Sequence, residues 1–572
     1  MKRATEAPPA TKTVANLHAE LVRHSELERP WSLAAVRDLL RWPPDAFAFT
    51  SLVLAESGAY RVAVSPPAGR QWPPVAGWEA KVKQLADAWF RHAALPGWEE
   101  RRPGDLARLV KQIHRMGLLP VHALDQSEHW DSACALLTLH AAADEACAGV
   151  GIQPAGHEPR REQLDSSYFW MYVNHLLFRN ETLSHVRPEI ARVVPKLRTP
   201  QVGISLRSLS HNLSFHRSEV QVRWRMTEGL APAFEGHLNL LLVPVPTTVE
   251  NSAFRPVDNP QIANLDRERF GHFDFQPAEP FDVDRVTAAL DEARTKVGMV
   301  HGVVFPEAAL TDDDLELLLG ELVVRSDNAP RFIIAGVRGP KRNAAALAIR
   351  YKGGWRVWYQ NKHHRWRMDE AQIRTYELTS SLHPKIRWWE NIDVTERHLH
   401  FVSVNGWLTF CHLICEDLAR QDPVAQTVRS VGPTLVVALL QDGPQLRSRW
   451  PARYAGVLAD DPGSSVLTLT SLGMALRSRP AGHPPSRVIA LWKDSQQGEK
   501  EITLEEGSCA VILTTCADQK VTEWTADGRS CGGVSAQLTF GGYEQIKGPT
   551  AGATPAPRRR RARPASRPRP TT

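Results

Sequence analysis

At 572 residues the chain exceeds one ordinary folding core, so two to four domains are expected. A hydrophobic share of 42% against 23% charged residues is that of a soluble globular protein, and no run approaches the ~20 apolar residues that a membrane-spanning helix needs. The formal charge of +6 is local: seven arginines between Arg558 and Arg569 more than account for it, and taking them away leaves −1, so overall charge gives no case for nucleic-acid binding by the folded part.

The first residues, Met1-Lys2-Arg3-Ala4-Thr5-Glu6-Ala7-Pro8-Pro9, have no apolar segment after their charges and do not read as a secretory signal, which points to the cytoplasm. Seven cysteines without a CxxC pair fit reduced thiols better than a disulfide framework. Residues 1–12 are Pro- and Ala-rich and are expected to be disordered. Residues 13–155 read as a mostly helical module, with apolar spacing at Leu17 and Leu21, at Leu33, Val36 and Leu39, from Trp78 to Phe90, and from Asp131 to Ala148. Tryptophans 31, 42, 72, 78, 89, 98 and 130 recur through it and are expected in its core.

Residues 156–235, after the linker-like run Ile152 to Pro159, read as a second small module or a connector. Val186 to Val194 looks helical, Arg198 to Phe215 carries Leu206, Leu209 and Leu213 on a plausible helical face, and Ser218 to Trp224 alternates like a strand. From 236 to 547 strands and helices alternate. Strands are expected at Leu238–Pro246, Gly302–Phe305, Arg331–Val337, Ala344–Tyr351, Trp355–Tyr359, Thr434–Leu440, Val466–Thr470, Val488–Trp492 and Cys509–Thr514. His398–Val404 and Trp407–Ile414 form a hairpin about Asn405-Gly406. Helices are expected over Asp282–Val297, Asp312–Val324 and Trp450–Leu458. Residues 548–572 hold Pro, Ala, Thr and the seven arginines, with no residue able to build a core. They read as a disordered tail that makes at most weak, salt-sensitive contact with polyanions.

Three strands in the 236–547 region end in an ionisable side chain. Pro306-Glu307 follows one, Lys362 follows the next, and the Trp407–Ile414 run ends in Cys415-Glu416-Asp417-Leu418. A thiol is a poor nucleophile until it loses its proton, a carboxylate can take that proton, and an ammonium can stabilise the charge that develops. This set resembles the nitrilase, or carbon–nitrogen hydrolase, superfamily, whose triad is Glu, Lys and Cys in that chain order. The Cys-Glu-Asp-Leu wording looks most like the glutamine-hydrolysing domain of NAD synthetases. The resemblance covers about residues 236–545. It implies a four-layer α-β-β-α sandwich, a preference for homodimers, and hydrolysis of an amide-type C–N bond in a small molecule through a thioester on Cys415. It also implies a second glutamate beyond the lysine; Glu390 is preferred over Glu377, with Glu370 third.

Gln441, Asp442 and Trp450 follow the strand after the nucleophile, where the family places substrate contacts. The family commonly has an arginine four residues after its cysteine; here Ala419 takes that place, with Arg420 next, which leaves the substrate open. No Gly-rich pyrophosphatase or GxxxxGK[ST] loop is present, so neither NAD synthesis nor ATP coupling is expected. Cys411, His412 and Cys415 lack a second ligand pair, and His363 and His364 read as packing residues, so no metal and no cofactor are expected. Two other readings stay open at this stage: an amide-forming acyltransferase, and a catalytically altered scaffold that serves as a binding or regulatory module.

Overall fold

The computed structural model describes residues 12–93, 104–152, 167–179, 181–227, 236–258, 266–325, 328–478, 484–530 and 534–548. Residues 1–11, Trp98 and the Arg-rich segment from 549 onward lie outside them. The fold is mixed α/β, and two seven-stranded sheets dominate it. The first runs, in spatial order, Gly354–Asn361, Arg342–Tyr351, Phe332–Gly339, Gly302–Val304, His237–Leu242, Ser508–Thr522 and Val534–Lys547. The second runs Gly498–Thr503, Val488–Asp494, Ser465–Thr470, Leu435–Leu440, Thr409–Ile414, His398–Ser403 and Gln221–Met226. Parallel pairs lie at the centre of each, and their strands are near-continuous apolar runs because both faces are covered.

The sheets face one another. Phe332 of the first stacks on Phe410 of the second at 4.9 Å between ring centroids. Gln360 pins the two together: its Nε2 donates to the His412 carbonyl at 2.9 Å, and its Oε1 accepts from the His400 N–H at 3.0 Å. Helices Val283–Val297 and Asp312–Val324 bury Leu290 and Leu318 on the outer face of the first sheet. The second of these begins with a capping box between Thr311 and Asp314, and its three aspartates lie at the positive end of the helix dipole. Helix Trp450–Asp460 packs on strands of the second sheet.

A four-stranded sheet escapes the sequence pattern: Arg367–Met368, Arg387–Glu390, Phe270–Phe275 and Phe254–Val257. Its strands are short, and a long excursion separates Arg367–Met368 from Arg387–Glu390, so no period-2 run is long enough to register. The expected helices over 186–194 and 198–215 are also corrected. Arg192–Pro195 pairs antiparallel with Leu213–His216, and a 3₁₀ turn occupies Leu206–Leu209 between them. Pro188, Pro195 and Pro200 remove backbone donors that helices there would need, and Val193 and Val194 favour extended backbone.

The N-terminal helices share one hydrophobic core with the second sheet. Trp42, Trp78, Trp89 and Trp130 are buried in it, as expected of them. Gln221–Met226, inside the 156–235 segment, is the seventh strand of the second sheet and runs parallel to His398–Ser403. From the other side, the turn after Ser508–Thr522 carries Arg529 into the helices. Its guanidinium lies 2.8 Å from Glu145, 3.2 Å from Asp144 and 3.2 Å from Asp527, all buried. Asp144 also accepts the backbone N–H groups of His211, Asn212 and Leu213.

Candidate active site

Each of the three sequence-predicted groups lies just beyond the end of a strand, at the inner edge of the two facing sheets. Glu307 follows Gly302–Val304 on a turn stitched to the neighbouring strand Phe332–Gly339. Phe305 N–H donates to Ile334 at 2.9 Å, Gly336 N–H to Pro306 at 3.2 Å, and Leu310 N–H to Gly336 at 3.0 Å. Contact is so close that a Cβ on Gly336 would lie 2.3 Å from the Pro306 carbonyl oxygen and 2.5 Å from the Glu307 Cα. Those neighbours are backbone and cannot swing away. Gly336→Ala is therefore expected to push the Glu307 turn off the strand, costing about 1–3 kcal/mol of stability and most of any activity. A thermal melt and a turnover assay check this; an Ala variant with full activity contradicts the geometry.

Lys362 follows Gly354–Asn361 and is wholly buried, with its Nζ 2.7 Å from Glu307 Oε1 and 2.7 Å from Glu390 Oε2. Glu390 ends the strand Arg387–Glu390 of the four-stranded sheet, and its Oε2 also accepts the Trp366 N–H at 3.1 Å. Of the sequence candidates for a second glutamate, the structure brings Glu390 to the lysine. Glu377 is exposed in a turn, and Glu370 pairs with Arg374 on a surface helix. Asn343 completes the cluster: its Nδ2 donates to Glu307 Oε1 at 2.7 Å and to Glu390 Oε1 at 2.5 Å, and its carbonyl accepts the Lys362 N–H at 2.9 Å. Burial works against the charge on Lys362, but the two carboxylates overcome it and hold the ammonium well above its ordinary range. Burial lifts the Glu307 carboxyl, Lys362 draws it back, and the charge of Glu390 lifts it again; the net shift is upward.

Cys415 stands between Thr409–Ile414 and the helical turn Glu416–Ala419 with φ 44° and ψ −105°, a backbone that a non-glycine residue rarely adopts. The second sheet holds it there: Cys415 N–H donates to the Leu439 carbonyl at 2.8 Å. Burial pushes the thiol well above its ordinary range and Glu307 adds to this. Lys362 and a hydrogen bond from the Gln441 backbone N–H oppose it. Glu307 and Lys362 thus both act on the thiol electrostatically, in opposite senses. Cys411, four residues earlier, is fully buried within the strand, and His412 stacks on His400.

Asp417 is buried and ties the cysteine turn to the lysine turn. Its carboxylate accepts the His363 N–H at 3.1 and 3.2 Å and meets His364 Nδ1 at 2.9 Å. Asp442 Oδ1 accepts from Tyr376 Oη and from Arg449 at 2.7 Å. Asp442 Oδ2 and Gln441 Nε2 are buried without a hydrogen-bond partner among the described residues. Trp450 opens its helix and packs edge-on against Tyr454.

Sequence reasoning did not single out Gly336, Asn343 or the role of Asp417. A glycine inside a predicted strand signals close backbone approach, and that signal was present at Gly336. Asn343 follows Pro340-Lys341-Arg342 and reads as a turn residue, so nothing local marks it as part of a buried polar cluster.

No protein-family model matches the chain, and no curated protein matches its sequence. Solved structures to which it is similar include Nit3 of Saccharomyces cerevisiae, a member of branch 10 of the nitrilase superfamily. That match has 12% identity and a TM-score of 0.27, and covers 47% of this chain and 86% of Nit3. The glutamine-dependent NAD(+) synthetase of Cytophaga hutchinsonii matches with 12% identity and a TM-score of 0.24, over 49% of this chain and 42% of that one. The C. elegans NitFhit protein matches with 11% identity and a TM-score of 0.27, over 47% and 61%. Likeness at this level carries no argument about activity, for which the site's own geometry is the basis.

Proposed function

We propose that the chain is a nitrilase-like thiol hydrolase of a non-peptide C–N bond in a small amide-type substrate, built on a four-layer α-β-β-α sandwich. The observation that carries this reading is the division of labour at Glu307. Its Oε1 is held by Lys362 and Asn343, while its Oε2 is buried with no hydrogen-bond partner among the described residues. That leaves one carboxylate oxygen for the Cys415 proton. As the thiol proton passes to Glu307, the sulfur bonds to the substrate carbon and the carbonyl oxygen takes up negative charge. Lys362 and the backbone N–H groups that open the turn after Cys415 stabilise this oxyanion. Collapse breaks the C–N bond, with Glu307 returning its proton to the leaving nitrogen. Water, deprotonated by Glu307, then attacks the thioester and the C–S bond breaks, restoring the thiol. No metal or cofactor is needed in this scheme. A cytoplasmic location and a homodimer through the nitrilase-like region belong to the same proposal.

Hydroxylamine tests the thioester directly, because it intercepts a thioester as a hydroxamate. Incubation with a panel of primary amides, N-carbamoyl compounds and cell metabolites is expected to give hydroxamate with the native protein and none with Cys415→Ala. Equal yields from both, or none from either, count against the proposal.

The pH profile carries a second expectation. Glu307 must be ionised to act as base, so the acid limb of kcat/KM should lie above the ordinary carboxylate range. Glu390 contributes to that upward shift, so Glu390→Gln should move the limb to lower pH even as it reduces the rate. A limb that stays in place assigns the titration to another group.

A further inference from the structure

A cleft of about 610 Å³ opens beside the catalytic cluster, within the size range of small-molecule sites. Its wall includes a neighbour of three site residues: His363 next to Lys362, Trp389 next to Glu390, and Glu416 next to Cys415. Glu307, Lys362, Glu390 and Cys415 themselves do not line it.

Four arginines converge on this cleft: Arg365, Arg367, Arg397 and Arg420. Glu416 and Asp369 are its only carboxylates among the described residues, and both are engaged. Glu416 pairs with Arg420, and Asp369 caps the helix Glu370–Thr375. Arg397 pairs with Glu219, which is largely exposed to solvent. Arg365 gives its Nε to the Ile392 carbonyl at 2.9 Å and makes no ion pair among the described residues, nor does Arg367. The lining therefore carries two more positive than negative charges, in a chain whose remainder apart from its Arg-rich end is close to neutral. The adjoining hollow of about 430 Å³ shares Arg397 and adds Arg223 against Glu219 and Glu396, so the cationic excess lies on the Arg365, Arg367 and Arg420 side of the first cleft. Guanidinium groups present fixed donor forks to phosphate and carboxylate oxygens.

We infer that this cleft binds a small polyanion, a ligand carrying two or more phosphate or carboxylate groups. Its floor, residues 363–367, also faces inward: His363 N–H is held by Asp417, and Trp366 N–H by Glu390. A ligand gripped by Arg365 and Arg367 thus stiffens the segment that follows Lys362. Binding needs no chemistry at Cys415, so the site stands independently of the thiol-hydrolase proposal.

Hydrogen exchange read by peptide mass spectrometry, on the full chain at low salt, tests this without an activity assay and separates the cleft from the Arg-rich tail. Inorganic tripolyphosphate and citrate are the two probes. Slowed exchange in peptides covering 363–367 and 416–420, lost at least tenfold in apparent affinity in Arg365→Gln/Arg367→Gln, is the expected result. Protection by tripolyphosphate alone assigns a phosphate ligand, and protection by citrate as well assigns carboxylate recognition too. No protection of these peptides by either probe overturns the inference. So does protection that is undiminished in the double variant.

Discussion

Cys415→Ser is expected to lose nearly all turnover while leaving the melting curve in place. The substitution is nearly isosteric, so the turn at φ 44° and its hydrogen bond to Leu439 need not change. The chemistry changes completely. Burial and the Glu307 charge already hold the thiol well above its ordinary range, and a serine hydroxyl in the same place starts several pKa units higher. Glu307, with one free carboxylate oxygen, can draw a proton from a thiol during attack but is too weak a base for an alkoxide. A serine variant that keeps its turnover would remove Cys415 from the mechanism.

Lys362→Ala is expected to lower kcat by about 10²–10³-fold, the usual cost of one oxyanion donor. It should also destabilise the fold, by about 3–5 kcal/mol, because it strands two buried carboxylates. The pH dependence has a definite sign. Without Lys362 only the Asn343 hydrogen bond opposes burial, so the folded-state pKa of Glu307 rises further above its unfolded value. Stability is then fully present below the unfolded carboxylate pKa and is lost as pH rises through the folded one. Lys362→Ala should therefore melt higher at mildly acid than at neutral pH. Adding Glu307→Gln and Glu390→Gln should recover stability at neutral pH without recovering turnover, which separates the structural role of the lysine from its role as an oxyanion donor. A single variant that is both stable and active contradicts both roles.

Much of the 236–547 region was legible because its central strands are buried on both faces. Runs such as Leu435–Leu440 announce themselves, and Asn405-Gly406 fixes the hairpin that leads to Cys415. The positions of Glu307, Lys362 and Cys415 follow from strand ends and chain order. The polar cluster around them does not. Asn343 and Asp417 meet their partners across 36 and 54 residues of sequence, and only tertiary packing brings them there; Glu390, 28 residues beyond Lys362, was named through the family resemblance and not through a local pattern. The segment 186–215 misled for a related reason: its leucines have helical spacing, but prolines and the buried ladder between Arg192–Pro195 and Leu213–His216 decide its backbone. The joining of the N-terminal region to the second sheet through Gln221–Met226, and to the turn after Ser508–Thr522 of the first sheet through Arg529, was equally invisible, since these contacts span 177 and 385 residues (398 − 221 and 529 − 144).

The most direct test of a Cys415 thioester is the mass of the protein itself. Glu307→Gln keeps the size of the side chain but cannot take up the proton needed to activate water, so an acyl group transferred slowly to Cys415 should accumulate. After incubation with a metabolite extract, intact-mass spectrometry is expected to show a discrete adduct that maps to the peptide containing Cys415 and is absent from Glu307→Gln/Cys415→Ala. Its mass gives the acyl group. An unmodified Glu307→Gln protein under conditions where the native chain turns substrate over, or the same adduct on the double variant, contradicts the thioester.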